Sequence, residues 1–185
     1  QSFSCNTIGM SGADGNVIKA HKRVAKTDYG FVGDIDEVNS ELLHTLLQIN
    51  EAVVLAPITH DGKGQLLNTN ADTIAQEVAK AMSQLYETEL IYCFEKAGVL
   101  LDVNDEASVI GTINSTSYAQ LRAEQKIFAG MLPKLDNAFA AISNGVHKVI
   151  IGKAEELEHL IDGTKGTTIV DEVKNTSSGD GGIYE

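Results

Sequence analysis

Asn68, Asn70 and Asp72 stand at alternate positions in Gln65-Leu66-Leu67-Asn68-Thr69-Asn70-Ala71-Asp72, where a strand and loop pass into a helix. Before them runs Ala52-Val53-Val54-Leu55-Ala56-Pro57-Ile58, an apolar, β-branched segment that reads as a buried strand. After them Ile74, Val78, Ala81 and Leu85 recur at helical spacing, with Ala71, Ala75, Ala79 and Met82 beside them. The first turn of a helix carries unpaired N–H groups and a partial positive charge, which favour anions. Amides and a carboxylate at that point have two readings. They are a cap and a first-turn acid, each stabilising the helix by about 1 kcal/mol or less, or they belong to a site for an anionic ligand. Far downstream Lys134 follows Pro133 at another helix start, and by local pattern it reads as a surface lysine on an exposed turn.

The elements that must position these residues alternate. Residues 2–8 read as a first strand and 16–23 as an alternating strand-like segment. Lys19, Lys22 and Arg23 give the second of these a basic cluster, read as a solvated hairpin face. Asp36 is expected to cap a helix whose apolar face is Val38, Leu42, Leu43, Leu46, Leu47 and Ile49, with His44 an unoriented surface residue on it. His60 to Gly64 is a turn by composition. Leu90 to Phe94 is a short buried strand, 102–115 a loop, and Tyr118, Leu121, Gln125 and Phe128 suggest a helix. Pro133 opens the next helix and Asn144-Gly145 closes it. A strand at 147–152, an amphipathic helix at 154–161 and a strand at 167–170 follow. This alternation argues an α/β three-layer sandwich with a largely parallel sheet, ending in a polar tail over 171–185.

Composition narrows the function. The chain has 185 residues, 43% of them hydrophobic, which suits a globular domain with a real core. A net charge of −12 argues against nucleic acid as a partner. No apolar run approaches the ~20 residues of a membrane span, and no signal-peptide pattern opens the chain. Cys5 and Cys93 lie in apolar runs and read as reduced core residues of a cytoplasmic protein, with no metal site. No Gly-x-Gly-x-x-Gly follows a strand, so a dinucleotide-binding dehydrogenase is not indicated.

Three ordered blocks carry a resemblance. Leu66-Leu67-Asn68-Thr69-Asn70-Ala71-Asp72 with its alanine-rich helix resembles the central motif of the acetylglutamate kinases, in the amino acid kinase family. Gly130-Met131-Leu132-Pro133-Lys134 is similar to that family's Gly-Met-x-x-Lys segment, and Gly9-Met10-Ser11-Gly12-Ala13-Asp14-Gly15 to its Gly-Leu-Ser-Gly-x-Asp-Gly hairpin. The match covers most of residues 1–170. It departs at Cys93-Phe94, where the family's nucleotide loop has Ser-Asp, and in one extra residue before Gly98. The family's opening Lys-x-Gly-Gly strand, His-Gly-Gly-Gly loop and substrate-gripping arginine have no counterpart, so the chain resembles the later two-thirds of such a kinase. The 185 residues by themselves are accordingly expected to be inactive or weak.

The resemblance implies transfer of the γ-phosphoryl of ATP to the side-chain carboxylate of N-acetyl-L-glutamate, a step of arginine biosynthesis. It implies that Lys134 stabilises the transferring phosphoryl group and that Asp72 orients ammonium groups. Asn68 and Asn70 would be the substrate-binding pair, Asn68 contacting the α-carboxylate and Asn70 chiefly bracing the turn. Phe94, Val99, Leu100, Phe128 and Met131 are expected to wall the nucleotide, with Mg²⁺ held by phosphates and waters. Residues 1–88 would be the remainder of an acyl-glutamate-binding lobe and 89–170 a nucleotide-binding lobe, in a protein that forms homo-oligomers when complete. Two alternatives stay open: a kinase of N-succinyl-L-glutamate or of another amino acid, and a non-catalytic nucleotide-binding or assembly fragment.

Overall fold

The computed structural model describes residues 3–171, so the expected tail lies outside the described residues except for Asp171. The chain divides into two compact units, Gln1–Tyr86 and Glu87–Glu185.

In the first unit, strand β1 (Thr7–Ser11) pairs in parallel with β4 (Ala52–Ala56). A second sheet has the order β3-β2-β5-β6, built from β2 (Ile18–Lys22), β3 (Gly33–Val38), β5 (Ile58–His60) and β6 (Leu66–Asn68). Its β2–β5 pairing is parallel, whereas β2–β3 and β5–β6 are antiparallel. Helices α1 (Ser40–Leu47) and α2 (Ala71–Met82) pack against each other, α2 also against β3. Val17, Ile18, Leu43, Ile74 and Met82 form the buried core, with Ile35, Leu42, Val53 and Val78 packed on it. Burying each such large side chain contributes about 1.5–3 kcal/mol.

Several local expectations change here. The apolar run 52–58 is two strands in two sheets, divided at Pro57, which has no N–H to continue a ladder. Among the described residues β4 pairs only with β1, so Val54 is 57% exposed and the strand is not buried as expected. Asn39, not Asp36, caps α1: its side chain accepts the Leu42 N–H at 3.0 Å. Asp36 instead lies on β3, 2.6 Å from His21 Nδ1. His44 is oriented after all, by the Tyr86 hydroxyl. His60 closes β5 and is buried, its Nδ1 accepting the Gly62 N–H, so it is not a loop residue. Leu85 lies beyond the end of α2 and is exposed.

In the second unit the sheet order is β7-β9-β10-β8, with β7 (Glu89–Phe94), β8 (Thr112–Ile113), β9 (Lys148–Lys153) and β10 (Thr167–Ile169). The β7–β9 and β8–β10 pairings are parallel and β9–β10 is antiparallel. Helices α3 (Ser115–Ala123), α4 (Leu132–Ser143) and α5 (Leu157–Ile161) complete it, α4 and α5 packing on β9. Val149, Ile150, Ile151, Leu135, Ala138 and Leu160 are buried between them. Pro133 stands in the first turn of α4 and Asn144 caps its end, as expected.

Among the described residues the fold is mixed α/β, but the alternation is not strict: β1-β2-β3 precede α1, β4-β5-β6 lie between α1 and α2, and α3 and α4 are consecutive. Four parallel pairings against three antiparallel ones are spread over three sheets. The short strand β8 lies inside the segment expected to be a loop. Helix α3 ends at Ala123, so Phe128 is not on it. Both cysteines are exposed, which corrects their reading as core residues: Cys5 precedes β1, and Cys93 sits near the open end of β7.

Candidate functional site

In the second unit a cavity of about 690 Å³ is lined by Phe94, Val99, Leu100, Phe128, Met131 and Lys134. All six were singled out from sequence, and they come from three separate segments. A mostly apolar hollow of this size with a few charged groups at its wall suits a small organic ligand. Cys93, noted from sequence only as a departure in the family's nucleotide loop, also lines it, with Glu95, Lys96, Ile127 and Glu155, which were not marked; Glu95 and Lys96 directly follow Phe94, which was signal enough.

Each wall has a local cause. Strand period places Tyr92 and Phe94 on one face of β7, and their rings stack at 6.0 Å with an interplanar angle of 23°. After β7 the chain runs against β10. A Cβ on Gly98 would fall 2.7 Å from Thr167 Oγ1 and 2.9 Å from Val109 Cγ1, so only glycine allows this approach. Beside it the Val99 N–H donates to Thr167 Oγ1 at 2.8 Å, both residues being buried. Phe128 is 64% exposed and starts the turn Ala129–Met131 that leads into α4.

Lys134 is the third residue of α4, and its Nζ lies 3.2 Å from the centre of the Phe94 ring. The helix is held from the outside by α3. Tyr118 OH donates to Asp136 Oδ1 at 2.7 Å, Arg122 reaches the same oxygen at 3.2 Å, and the Tyr118 and Phe139 rings stack at 5.1 Å. Burial, then the bond to Asp136, pushes the Tyr118 phenol above its ordinary pKa. Helix α3 is set in turn by a capping box: Asn114 accepts the Ser117 N–H while Ser117 Oγ accepts the Asn114 N–H.

In the first unit the stretch 68–72 is built by alternation. Asn68 ends β6 and is exposed, its N–H donating to Phe31 O at 2.7 Å. Thr69 turns inward at 2% exposure; its N–H donates to Pro57 O, and its hydroxyl bonds Gly33 O and Thr59 Oγ1. Asn70 caps α2, its Oδ1 accepting the Thr73 N–H at 3.1 Å, so it braces the turn as expected. Asp72 is the second residue of α2, half-buried in the first turn. Thr69 was missed, although its spacing of two from the buried Leu67 places it on the inward face. The nearby basic cluster is largely paired: Arg23 with Asp34 at 2.6 Å and Lys22 with Asp28 at 3.0 Å, each holding its acid below the usual carboxylate pKa.

An apolar cavity with a lysine in the first turn of a helix at its wall can take an organic ligand that carries negative charge. The sequence profile of the amino acid kinase family matches residues 1–153, and the chain belongs to that family. It is 50% identical over 166 residues to an acetylglutamate kinase of Bacteroides fragilis, an alignment that covers 89% of this chain and 63% of that protein. An acetylglutamate kinase of Cytophaga hutchinsonii is 49% identical over 174 residues, covering 92% of this chain and 66% of that one. The chain thus spans less than two-thirds of the length of these curated relatives. Among solved structures, the carbamate kinase of Giardia lamblia bound to AMP-PNP shares the fold at a TM-score of 0.60 and 15% identity, covering 90% of this chain and 62% of that one.

Proposed function

We propose that the chain is part of an acetylglutamate kinase, which moves the γ-phosphoryl of ATP to the side-chain carboxylate of N-acetyl-L-glutamate. The observation that carries this reading is the 50% identity over 166 residues to a relative of that name. A glutamate carboxylate has a pKa near 4.3, so at neutral pH the nucleophile is already ionised and no general base is required. The protein has to align two anions and screen the charge that develops between them.

On this reading the cavity beside Phe94, Val99, Leu100, Phe128 and Met131 takes the nucleotide, with AMP-PNP in the Giardia carbamate kinase as a parallel for ligand class. Lys134, whose charge adds to the positive end of α4, meets the terminal phosphates. Asn68 donates its amide to the α-carboxylate of the acyl-glutamate, and Asp72 orients ammonium groups without taking a proton. Mg²⁺ enters on the phosphates, where it neutralises charge; among the described residues no cluster of three ligating side chains offers a separate cage. The enzyme would work in the cytoplasm in arginine biosynthesis, as a homo-oligomer when complete. No helix among the described residues is long and apolar enough to cross a membrane.

The test is chemical. The chain, joined to the part of the Bacteroides fragilis enzyme that it does not match, is given MgATP and N-acetyl-L-glutamate with hydroxylamine. The acyl phosphate should be captured as a hydroxamate, with one ADP released per hydroxamate formed. ADP release without hydroxamate, or neither, overturns the assignment.

A further inference from the structure

We propose that the Glu106–Lys153 ion pair is a strap that holds loop 101–108 in place as a wall of the cavity, so that both are positioning residues for the ligand. The inference rests on the reading of that cavity as the nucleotide site. The loop leaves the cavity wall after Leu100 and returns at Val109, two residues joined by an antiparallel bridge. Its neck is closed by the Leu101 N–H donating to Ser108 O at 3.0 Å and the Ile110 N–H donating to Val99 O at 2.8 Å.

The loop also has a shape of its own. The Asp102 side chain accepts the Asn104 N–H at 2.9 Å, and the Asp105 side chain accepts the Ala107 N–H at 2.9 Å. Ser108 Oγ accepts the Asp102 N–H at 3.0 Å. A segment tied in this way moves as one piece about its neck, so a single outside contact can fix it. Apolar packing supplies little of that contact: Val103 lines the cavity but stays 43% exposed, and Leu101 is exposed as well.

The contact the structure shows is ionic. Lys153 Nζ donates to Glu106 Oε2 at 2.7 Å, 47 residues away along the chain. Lys153 ends β9, in register with Phe94 at the end of β7. The two residues after it, Ala154 and Glu155, line the cavity together with Val103 of the loop. The pair therefore joins two stretches of the same wall. Glu155 and Glu156 lie closer to Lys153 in sequence and add to the negative charge around it, yet its hydrogen bond goes to Glu106. Lys153, and after it Lys96 just beyond β7, hold the Glu106 carboxyl below the usual carboxylate pKa. Glu106 thus answers to cations at the ends of both neighbouring strands.

Neither Glu106 nor Lys153 is among the residues that line the cavity. The pair works from behind the wall and takes no space from the ligand. An exposed ion pair of this kind is modest in strength and is screened by salt, and both properties make the role measurable.

The first measurement is on the unmodified 185-residue chain without ligand, its valine methyls labelled for NMR and Val103→Ile giving the assignment. Relaxation should show the Val103 methyls moving with larger amplitude in Glu106→Gln and in Lys153→Met, and as in the parent in Lys153→Arg. The second is the rate at which magnesium AMP-PNP leaves the chain. It should rise about two- to fivefold in Glu106→Gln or Lys153→Met, rise no further when the two are combined, and stay at the parent value in Lys153→Arg. The gap between parent and Glu106→Gln should close in about 1 M salt. Val103 methyls that move alike in the parent and Glu106→Gln overturn the inference, as do release rates that the two substitutions leave unchanged or raise independently. If the methyl result holds but AMP-PNP does not bind the parent chain, the nucleotide reading itself has failed, and the positioning role falls with it.

Discussion

The backbone N–H of Val99 donates to the hydroxyl of Thr167 at 2.8 Å, so one wall of the cavity hangs from a strand 68 residues further along the chain. Thr167 is fully buried and its Oγ1 also fills the space above Gly98. Thr167→Val keeps the shape and removes the acceptor, stranding a buried N–H. The expected cost is about 1–3 kcal/mol. Urea denaturation should show the loss, and Thr167→Ser, which keeps the hydroxyl, should recover most of it.

Gly33 plays a comparable part in the first unit. A Cβ there would lie 2.7 Å from Thr69 Oγ1 and 2.9 Å from Leu67 Cβ, inside the network that fixes the Asn68 loop. Gly33→Ala is expected to destabilise by about 1–3 kcal/mol through overpacking. Thermal unfolding followed by circular dichroism measures it, and an unchanged midpoint would mean that the threonine pair moves aside freely.

The phenol of Tyr118 makes the protein sensitive to alkali. Its pKa is raised in the folded state by burial and by the hydrogen bond to Asp136, so the native protein keeps this proton when the unfolded chain gives it up. The stabilisation is fully present below the unfolded phenol's pKa of about 10 and is lost as pH rises through the higher folded value. Urea midpoints measured across that range should fall less steeply in Tyr118→Phe than in the parent. Parallel slopes would count against the Tyr118–Asp136 bond as the tie between α3 and α4.

For Lys134 the expectation concerns chemistry more than stability. Lys134→Ala removes one cation from the site proposed for the transferring group, and losing one such electrostatic contact typically costs about 10²–10³ in rate. The hydroxamate assay on the joined protein reads this directly. A rate within about threefold of the parent would remove Lys134 from the mechanism.

Much of the cavity was legible only through the family resemblance, which named Phe94, Val99, Leu100, Phe128, Met131 and Lys134. Local pattern gave the strand that ends in Phe94 and the Pro-first helix start at Lys134, and by itself it read that lysine as a surface residue. Long-range partners were not legible. Nothing near Val99 says that Thr167 will accept its N–H, and nothing near His44 says that Tyr86 will reach it. Strand burial failed for the same reason. The run from Ala52 to Ile58 looks like an interior strand, but Pro57 divides it between two sheets, and exposure of Val54 depends on which strands lie beside it. The cysteines were misread because an apolar run was equated with an interior one, whereas Cys93 sits near a strand end that opens on the cavity.

The placement of Lys134 at the amino end of α4 has a consequence for variation in this protein. An acidic residue at that position would suit the helix better by about 0.3–1 kcal/mol, and so would be welcome wherever selection acts on folding alone. On the role proposed for Lys134, a descendant that had drifted to aspartate or glutamate there would gain robustness while surrendering catalysis. Such a substitution would mark a copy kept as a scaffold after its enzymatic duty had lapsed.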